Sequence, residues 1–262
     1  MGLNNRLSGV SALTATTAPE EISAADRVLH VLSVMARAQR ALSAAELVQA
    51  CGLPRSSLYR QLARLKRFGL VQEQSGLYAP GPLCLQLATG FERSANLVQI
   101  ARPFLVQLSQ ATQESAGLIV AIDNQAMCLA MVESPQSLRC SFAEGRSVPL
   151  LNGASALCLL AHLPTAQREA VLGQQYGAGT PERAAAQARL QAIRDAGHVI
   201  TLGEVDAGVW GCSAPIFGPG RRIAAALTLM APEQRVANHA ESWTQHTLST
   251  AARIARALSS PE

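Results

Sequence analysis

Three things that the sequence lacks exclude whole classes of protein. Its six cysteines are scattered and form no CxxC pair, so neither a disulfide framework nor a cysteine zinc site has the required spacing. The longest clean apolar runs, such as "IAAALTLMA", are too short to span a membrane, and the first residues contain no apolar signal core. We therefore expect a cytoplasmic protein with reduced thiols and no membrane partner.

Motifs that specify catalysis are also missing. The five histidines form no HExxH pattern, "GASAL" is not a GxSxG elbow, and "GPGRRI" is not a GxGxxG fingerprint. His239 and His246 fit a helix surface better than a metal site. His198, Glu204 and Asp206 lie near each other in sequence, but a polar loop before a strand explains them better than an acid–base site. The sequence predicts no catalytic residue, no metal and no cofactor.

What the sequence does have is an uneven distribution of charge. The chain of 262 residues is 48% hydrophobic and 15% charged, which is typical of one large or two modest globular domains. Residues 1 to 80 carry nine Lys or Arg against five Asp or Glu, whereas the remaining residues carry thirteen of each. This asymmetry indicates a small module that binds a polyanion, joined to an electrically neutral one.

The first third of the chain has the pattern of three short helices. Residues 1–20 are rich in Thr, Ala and Ser and are expected to form a disordered tail. Ser23 and Ser43 are expected to cap helices ending near residues 38 and 49, each with an acid three residues later. The apolar positions of the first helix are Val28, Leu29, Leu32 and Met35. Gly52 then allows a turn, and Pro54 suits the start of a third helix.

The third helix, predicted over residues 54–68, divides into two faces. Its segment "GLPRSSLYRQLARLKRFGLV" holds five basic residues and no acidic one. The apolar face predicted to be buried comprises Leu58, Leu62, Leu65 and Phe68. After Gly69, "LVQEQSGLYAPG" predicts two strands around residues 74–76, so the whole resembles a winged helix-turn-helix. The alternative is a helical hairpin whose basic face is merely solvated.

The exposed side chains of this helix are the candidate contacts to double-stranded DNA. The residues near the helix start are expected to contact base edges and nearby phosphates; they are Arg55, Ser56, Ser57, Tyr59 and Arg60. Arg64, Lys66 and Arg67 are expected to meet the backbone or solvent. Ser43, besides capping a helix, is a further candidate.

After the predicted wing, the sequence first has the apolar spacing of helices and then alternates between predicted strands and helices. Leu83, Leu87 and Phe91 form one apolar stripe, and Leu97, Ile100, Phe104 and Leu108 form another. This segment packs either on its copy in a second subunit or on the chain's own core, and Pro103 bends it or begins a new helix.

Further along, strands are predicted over residues 116–123, 125–134 and 137–145, and helices over residues 153–164 and 181–196. A hairpin turning at residues 218–220 and a last helix over residues 232–258 complete an α+β domain with a mainly antiparallel sheet.

The order of these elements, with "YAPGPLCLQLA", "LVQIARPFLVQLSQATQES", "EGRSVPLLNGA" and "EVDAGVWGCSAPIF", resembles the IclR family of bacterial transcriptional regulators from about residue 22 to 258. The resemblance implies a winged helix-turn-helix over residues 21–81, a linker helix over 82–101 and a GAF-like effector-binding domain over 102–262. It also implies a homodimer or homotetramer acting on a palindromic operator and sensing a small carboxylate.

Carried over by position, the family's effector pocket uses the loop and helix start after "VPL" and a strand pair in which Val209 and Gly211 face Thr228 and Met230. The first group comprises Asn152, Gly153, Ala154 and Ser155. Backbone N–H groups at a helix start bind anions, although a merely close-packed helix start is the alternative. Where many relatives have a Gly-Lys pair this chain has Ala156-Leu157, and Met230 suggests a more apolar ligand.

Two other functions are compatible with the sequence. One is a small-acid-binding protein or enzyme with an incidental helical N-terminal domain, which would turn over or bind an acid without selecting DNA sequences. The other is a DNA-binding regulator that has lost ligand sensing because side chains fill its pocket.

Overall fold

A computed structural model describes residues 23–94 and 96–259, so the predicted disordered tail lies outside the described residues. The chain separates into two compact units between Leu85 and Gln86. None of the helices in the described part of the chain is long and apolar enough to cross a membrane.

The first unit contains three helices and a small antiparallel sheet; the helices and the two-stranded wing were predicted, but the third strand of the sheet was not. The helices are α1 (Ala24–Ala38), α2 (Ala44–Cys51) and α3 (Arg55–Arg67). The strands, which lie in the order β1-β3-β2, are β1 (Leu42–Ser43), β2 (Val71–Gln74) and β3 (Leu77–Pro80). The two-residue turn of the β2–β3 wing, Ser75-Gly76, has φ values of 52° and 77°, which suits a tight hairpin.

Capping boxes begin α1 and α2, and both were predicted. The Ser43 hydroxyl accepts a hydrogen bond from the Glu46 N–H at 3.3 Å, and the Ser43 N–H donates to the Glu46 carboxylate at 2.8 Å. The backbone N–H and the hydroxyl of Ser43, with Arg40 beside them, lower the pKa of Glu46 to about 2. Because that pKa is depressed, the contribution of the carboxylate is present near neutral pH and is lost as the pH falls to about 2.

Replacing Ser43 by alanine is expected to destabilise the first unit by about 1 kcal/mol, because α2 then starts with unsatisfied N–H groups. Hydrogen exchange of the α2 amides measures the loss. As a control, Ser56→Ala makes the same chemical change on the exposed surface of α3 and should alter stability by less than about 0.5 kcal/mol. Equal protection of α2 in both variants would contradict a structural role for the Ser43 cap.

One predicted core position of α3 is wrong. Leu58, Leu62 and Leu65 are fully buried, but Phe68 is 61% exposed. The helix ends at Arg67, and Phe68 leaves it with φ −91° and ψ 4°, so the helical spacing no longer holds at this residue. Its ring instead lies 4.9 Å from the Arg67 guanidinium.

One predicted core position of α1 is also wrong. Met35 is buried and Val28 and Leu32 pack against the same cluster, as predicted, but Leu29 is 60% exposed and Val31 is buried in its place.

The second unit is built on a six-stranded antiparallel sheet with helices on both faces, which confirms the predicted α+β class. Its strands, in the order β6-β5-β4-β9-β8-β7, are β4 (Ser115–Ile122), β5 (Gln125–Val132), β6 (Ser147–Pro149), β7 (Val199–Leu202), β8 (Val209–Phe217) and β9 (Ile223–Pro232). Its helices are α5 (Asn96–Thr112), α6 (Ala154–His162), α7 (Thr165–Gln175), α8 (Pro181–Ala196) and α9 (Ala240–Ser259). Helix α4 (Pro82–Ser94) crosses the boundary between the units.

The two faces of the sheet bury separate hydrophobic clusters. One cluster joins the sheet to α5 and α9, and the other joins it to α6, α7 and α8. Side chains of β8 alternate between the faces: Trp210 and Cys212 enter the α5–α9 cluster, while a Cβ added at Gly211 would lie on the α6 side, 3.4 Å from the Ala154 Cβ. Pro103 lies inside α5, so it does not begin a new helix.

Two predicted elements of this unit are wrong. Residues 137–145 form a loop rather than a strand, because the Glu144 carboxylate accepts the Met131 N–H at 2.9 Å where a neighbouring strand would otherwise pair with β5. The last helix begins at Ala240 rather than at 232, because β9 continues to Pro232 and a 3-10 turn (Glu233–Arg235) follows. Strands β6 and β7 and helix α7 were not predicted.

Candidate functional site

The exposed side of α3 presents a continuous basic surface, which we call the basic face. It opposes the buried leucines and consists of Arg55, Arg60, Arg64, Lys66 and Arg67. No acidic residue lies in α3. Ser56 and Tyr59 are exposed on the same side near the helix start. This arrangement suits a polyanion.

The N-terminus of α3 adds to the positive potential of this surface. Pro54 at the cap position makes no side-chain hydrogen bond, so the first backbone N–H groups of the helix have no side-chain cap. The Arg55 guanidinium lies 5.8 Å from the centre of the Tyr59 ring. A hydrogen bond to Tyr59 raises the pKa of Arg55. A phosphate at this end would meet both the helix dipole and a guanidinium.

Three side chains that were predicted to contact DNA are buried in the first unit or bonded to other residues of it. Ser57 is only 5% exposed and its hydroxyl is buried, because it is adjacent to the core residue Leu58 on the inward side of α3. The Ser43 hydroxyl donates to Glu46 within the capping box. Lys66 forms an ion pair with Glu73 of the wing, which raises the pKa of the lysine.

The second unit contains a cavity of about 410 Å³ between the sheet and the start of α6. Two loops, residues 138–142 and 204–208, close its sides. Its wall residues on strands and on the start of α6 are Ile119, Val148, Gly153, Ala154, Ser155, Thr201, Val209, Gly211, Thr228, Met230 and Pro232. The volume and the mostly apolar lining suit a small molecule.

All of the predicted effector-binding residues except Asn152 line this cavity. Asn152 is exposed and lies outside its wall. The strand of Val209 and Gly211 pairs with the strand of Thr228 and Met230, as predicted. Gly211 lies opposite Met230, whereas Val209 lies opposite Pro232 and Thr228 lies opposite Ser213. The Thr228 hydroxyl lies 2.8 Å from that of Ser213.

The structure explains why this chain can have Ala156-Leu157 where many relatives have a Gly-Lys pair. Both residues are buried, at 0% and 4% exposure, and belong to the cluster that packs α6 on the sheet. They therefore help to fix the helix whose N-terminus faces the cavity, and the cavity itself remains open beside them.

A buried ion pair fixes the loop over residues 138–142. The Arg235 guanidinium binds both carboxylate oxygens of Glu114, and its Nη2 atom donates at 2.7 Å to Oε2. The same Nη2 atom donates to the Leu138 carbonyl at 3.0 Å. Because Glu114 is 1% exposed, this arginine both neutralises a buried carboxylate and ties down a wall of the cavity.

The guanidinium of Arg139, in the loop over residues 138–142, already forms an ion pair. Arg139 donates to Glu133 at 2.7 Å, and the Ser141 hydroxyl donates to the other oxygen of the same carboxylate at 2.5 Å. These two hydrogen bonds, that of Ser141 first, lower the pKa of Glu133. A ligand in the cavity therefore meets an arginine whose charge is largely compensated.

The N-terminus of α6 already holds a carboxylate from the chain itself. The Gly153 N–H donates to Glu204 Oε2 at 3.1 Å, and Arg189 of α8 binds Oε1 of the same side chain at 2.5 Å. Gly153 has φ +87° and offers no side chain to cap the helix, so the Glu204 carboxylate caps it instead. The sequence pattern treated Glu204 only as a polar loop residue. The two glycines that bracket it, Gly203 and Gly208, are the signal that could have indicated a structured loop.

Among the described residues, no group of three or more His, Cys, Asp or Glu is placed to hold a metal ion. The polar residues that line the cavity include Ser155, Thr201 and Thr228. Thr201 and both closing loops were missed by the sequence pattern.

Comparisons with known proteins agree for both units. Residues 91–259 match the family profile described as "Bacterial transcriptional regulator IclR C-terminal", and residues 24–75 match the one described as "IclR helix-turn-helix domain". The HTH-type transcriptional regulator KipR of Bacillus subtilis is 29% identical over 202 residues, which cover 74% of this chain and 80% of KipR.

Two solved structures share the fold. The IclR family transcriptional regulator of Brucella abortus superimposes with a TM-score of 0.77 at 18% identity, covering 91% of this chain and 93% of that one. An IclR homolog from Microbacterium hydrocarbonoxydans, solved in complex with 4-hydroxybenzoate, has a TM-score of 0.70 at 24% identity and covers 90% of this chain and 99% of its own.

Proposed function

The chain belongs to the IclR family of bacterial transcriptional regulators, and from this premise we propose that it binds DNA under the control of a small organic acid held in the second unit. The observation that carries the proposal is the cavity of about 410 Å³, whose wall includes most of the residues expected to bind an effector. We assign the winged helix-turn-helix to residues 21–81, the linker to 82–101 and the effector-binding domain to 102–262.

The DNA-binding surface is proposed to be the basic face together with Ser56 and Tyr59. With α3 in the major groove, the residues near its start reach base edges, and the arginines further along meet phosphates. Lys66 contributes less than the arginines because Glu73 compensates its charge. Ser43 is left out of this surface because its hydroxyl is used in the capping box, and Ser57 because its hydroxyl is buried.

The protein is proposed to act in the cytoplasm as a homodimer or homotetramer on a palindromic operator, since two copies of α3 related by a two-fold axis read inverted half-sites. Effector binding would change the relative placement of the two DNA-binding modules, so that the half-site spacing is matched in one state only. Selection of duplexes from a random pool tests this, because an inverted-repeat consensus is expected. A consensus without two-fold symmetry would contradict the operator proposal.

The proposed effector is a small carboxylate with an apolar body. The cavity offers hydroxyls but is mostly apolar, and the polarizable Met230 side chain suits a ring. The relative from Microbacterium hydrocarbonoxydans binds 4-hydroxybenzoate, a molecule with this combination of groups. A thermal-shift screen of small organic acids, with 4-hydroxybenzoate included, tests the class. A folded protein that none of these acids stabilises would favour a regulator that has lost ligand sensing.

Filling the cavity should separate ligand binding from DNA binding. A Cβ added at Gly211 would lie 3.4 Å from Ala154 Cβ, so Gly211→Leu places its larger side chain between β8 and the start of α6. We expect at least about a tenfold loss of affinity for the acid found in the screen, measured by calorimetry, with DNA affinity unchanged.

The control for this variant is Ala224→Leu, on β9 and outside the cavity wall, which should bind the acid normally. Unchanged acid affinity in Gly211→Leu would show that the ligand binds elsewhere.

A further inference from the structure

The loop from Gly203 to Gly208, which we call the strap, covers one side of the cavity. Residues 204–208 all line it. Both terminal glycines have positive φ, 69° at Gly203 and 75° at Gly208, and the Gly203 N–H donates to the Val209 carbonyl at 2.9 Å. This hydrogen bond joins the first residue of the strap to the residue that follows its last one, and so it closes the base of the loop. Glycines at both ends allow the backbone rotation that a hinge requires.

Few contacts hold the body of the strap down. Among the described residues, the Glu204 carboxylate accepts hydrogen bonds from the Gly153 N–H and from Arg189 of α8, and the Asp206 carbonyl accepts one from the Val209 N–H at the end of the loop. Val205 lies over Gly153, where an added Cβ would be 2.6 Å from Val205 Cγ2. Val205 is nevertheless 47% exposed, so apolar burial fixes the strap only weakly.

We propose that the strap is the entrance of the cavity and that Glu204 is its latch. Opening requires the Glu204 carboxylate to leave the Gly153 N–H while the loop turns about its two glycines. A ligand carboxylate can then take the same N–H, which exchanges one negative charge for another at the N-terminus of α6. This last step rests on the ligand class proposed above, whereas the opening of the strap does not.

The latch also makes Glu204 a determinant of specificity. A ligand must compensate the loss of the Glu204 contacts in order to bind, which a carboxylate can do and an uncharged analogue cannot. Arg189, from a different helix, strengthens the closed state without lining the cavity.

Cys140 allows the opening to be measured without any ligand. This cysteine lines the cavity and is only partly exposed, and its thiol lies close enough to Asp206 of the strap for that charge to act on it. Burial, followed by the charge of Glu114, raises the pKa of the Cys140 thiol, and Asp206 adds to the shift; Glu204 does not contribute. Removing Glu204 therefore changes access to this thiol rather than its ionisation. Cys128, Cys158 and Cys212 are buried in the same unit and report on unfolding.

The experiment is N-ethylmaleimide labelling of the full chain, with the modified cysteines identified by mass spectrometry. Glu204→Ala is expected to speed labelling of Cys140 about fivefold or more, because labelling follows the population of the open strap. Arg189→Met removes one of the two latch contacts and should give a smaller increase. Cys128, Cys158 and Cys212 should stay unlabelled in both variants.

The matched control is Glu169→Ala, which breaks an ion pair with Arg183 between α7 and α8, away from the cavity. Its Cys140 rate should equal that of the wild type. An unchanged rate in Glu204→Ala, an equal acceleration in the control, or labelling that extends to the buried cysteines would each overturn the latch. Because neither DNA nor an effector is present, none of these results bears on the proposed function.

Discussion

Replacing Arg60 and Arg64 together by alanine is expected to weaken DNA binding on the order of a hundredfold near physiological salt, with the fold unchanged. Both side chains are exposed on α3, so their removal opens no cavity in the core. Each lost phosphate contact also reduces the slope of log affinity against log salt by about 0.9. Fluorescence anisotropy with a labelled random-sequence duplex over a range of salt concentrations measures both effects.

The control for this prediction is Arg221→Ala with Arg222→Ala, in the turn between β8 and β9. These arginines are exposed as well, so the two double variants lose the same formal charge from different units. A salt slope that falls equally in both would show that net charge, and not the basic face, determines binding.

Arg235→Ala is expected to destabilise the second unit strongly. It leaves the Glu114 carboxylate buried without its cation, which typically costs about 3–5 kcal/mol. The loop at Leu138 loses its anchor at the same time. Urea unfolding followed by tryptophan fluorescence measures the loss, because both tryptophans of the chain, Trp210 and Trp243, lie in this unit.

The comparison for Arg235→Ala is Arg183→Ala, which breaks the more exposed pair with Glu169. That variant should lose at most about 1 kcal/mol, since solvent screens an exposed pair. In the double variant Glu114→Gln/Arg235→Met, removing both charges should restore part of the stability. Equal losses of stability from Arg235→Ala and Arg183→Ala would mean that burial of the Glu114 carboxylate adds little to the cost of removing its partner.

The parts of the fold that local sequence determines were predicted well. Ser23 and Ser43 start their helices because the capping residues and the acids that bond them are three positions apart, and Gly52 ends α2 with φ 64°. The α8 bounds were also predicted, with Pro181 at the start and Gly197 just after the end. In each case the residues that decide the structure are neighbours in the chain.

The parts that depend on distant residues were not predicted. The loop over residues 137–145 has the composition of a strand, but its Glu144 carboxylate binds the Met131 N–H of β5, and Arg235, far along the chain, binds its Leu138 carbonyl. Glu204 caps a helix that begins at Ala154, and no local pattern links these positions. For the candidate site, the family resemblance supplied the small residues of the wall, whereas both loops that close the cavity required the three-dimensional structure.

The alternation of side chains along β8 has an evolutionary consequence. Val209 and Gly211 line the cavity, while Trp210 and Cys212, between and beside them, belong to the core with α5 and α9. A mutation at a cavity position can thus alter which molecule is accepted while the residues that maintain the fold stay the same. If the proposed function holds, descendants of such a protein can come to bind other effectors through changes at a few cavity positions while the same fold is kept.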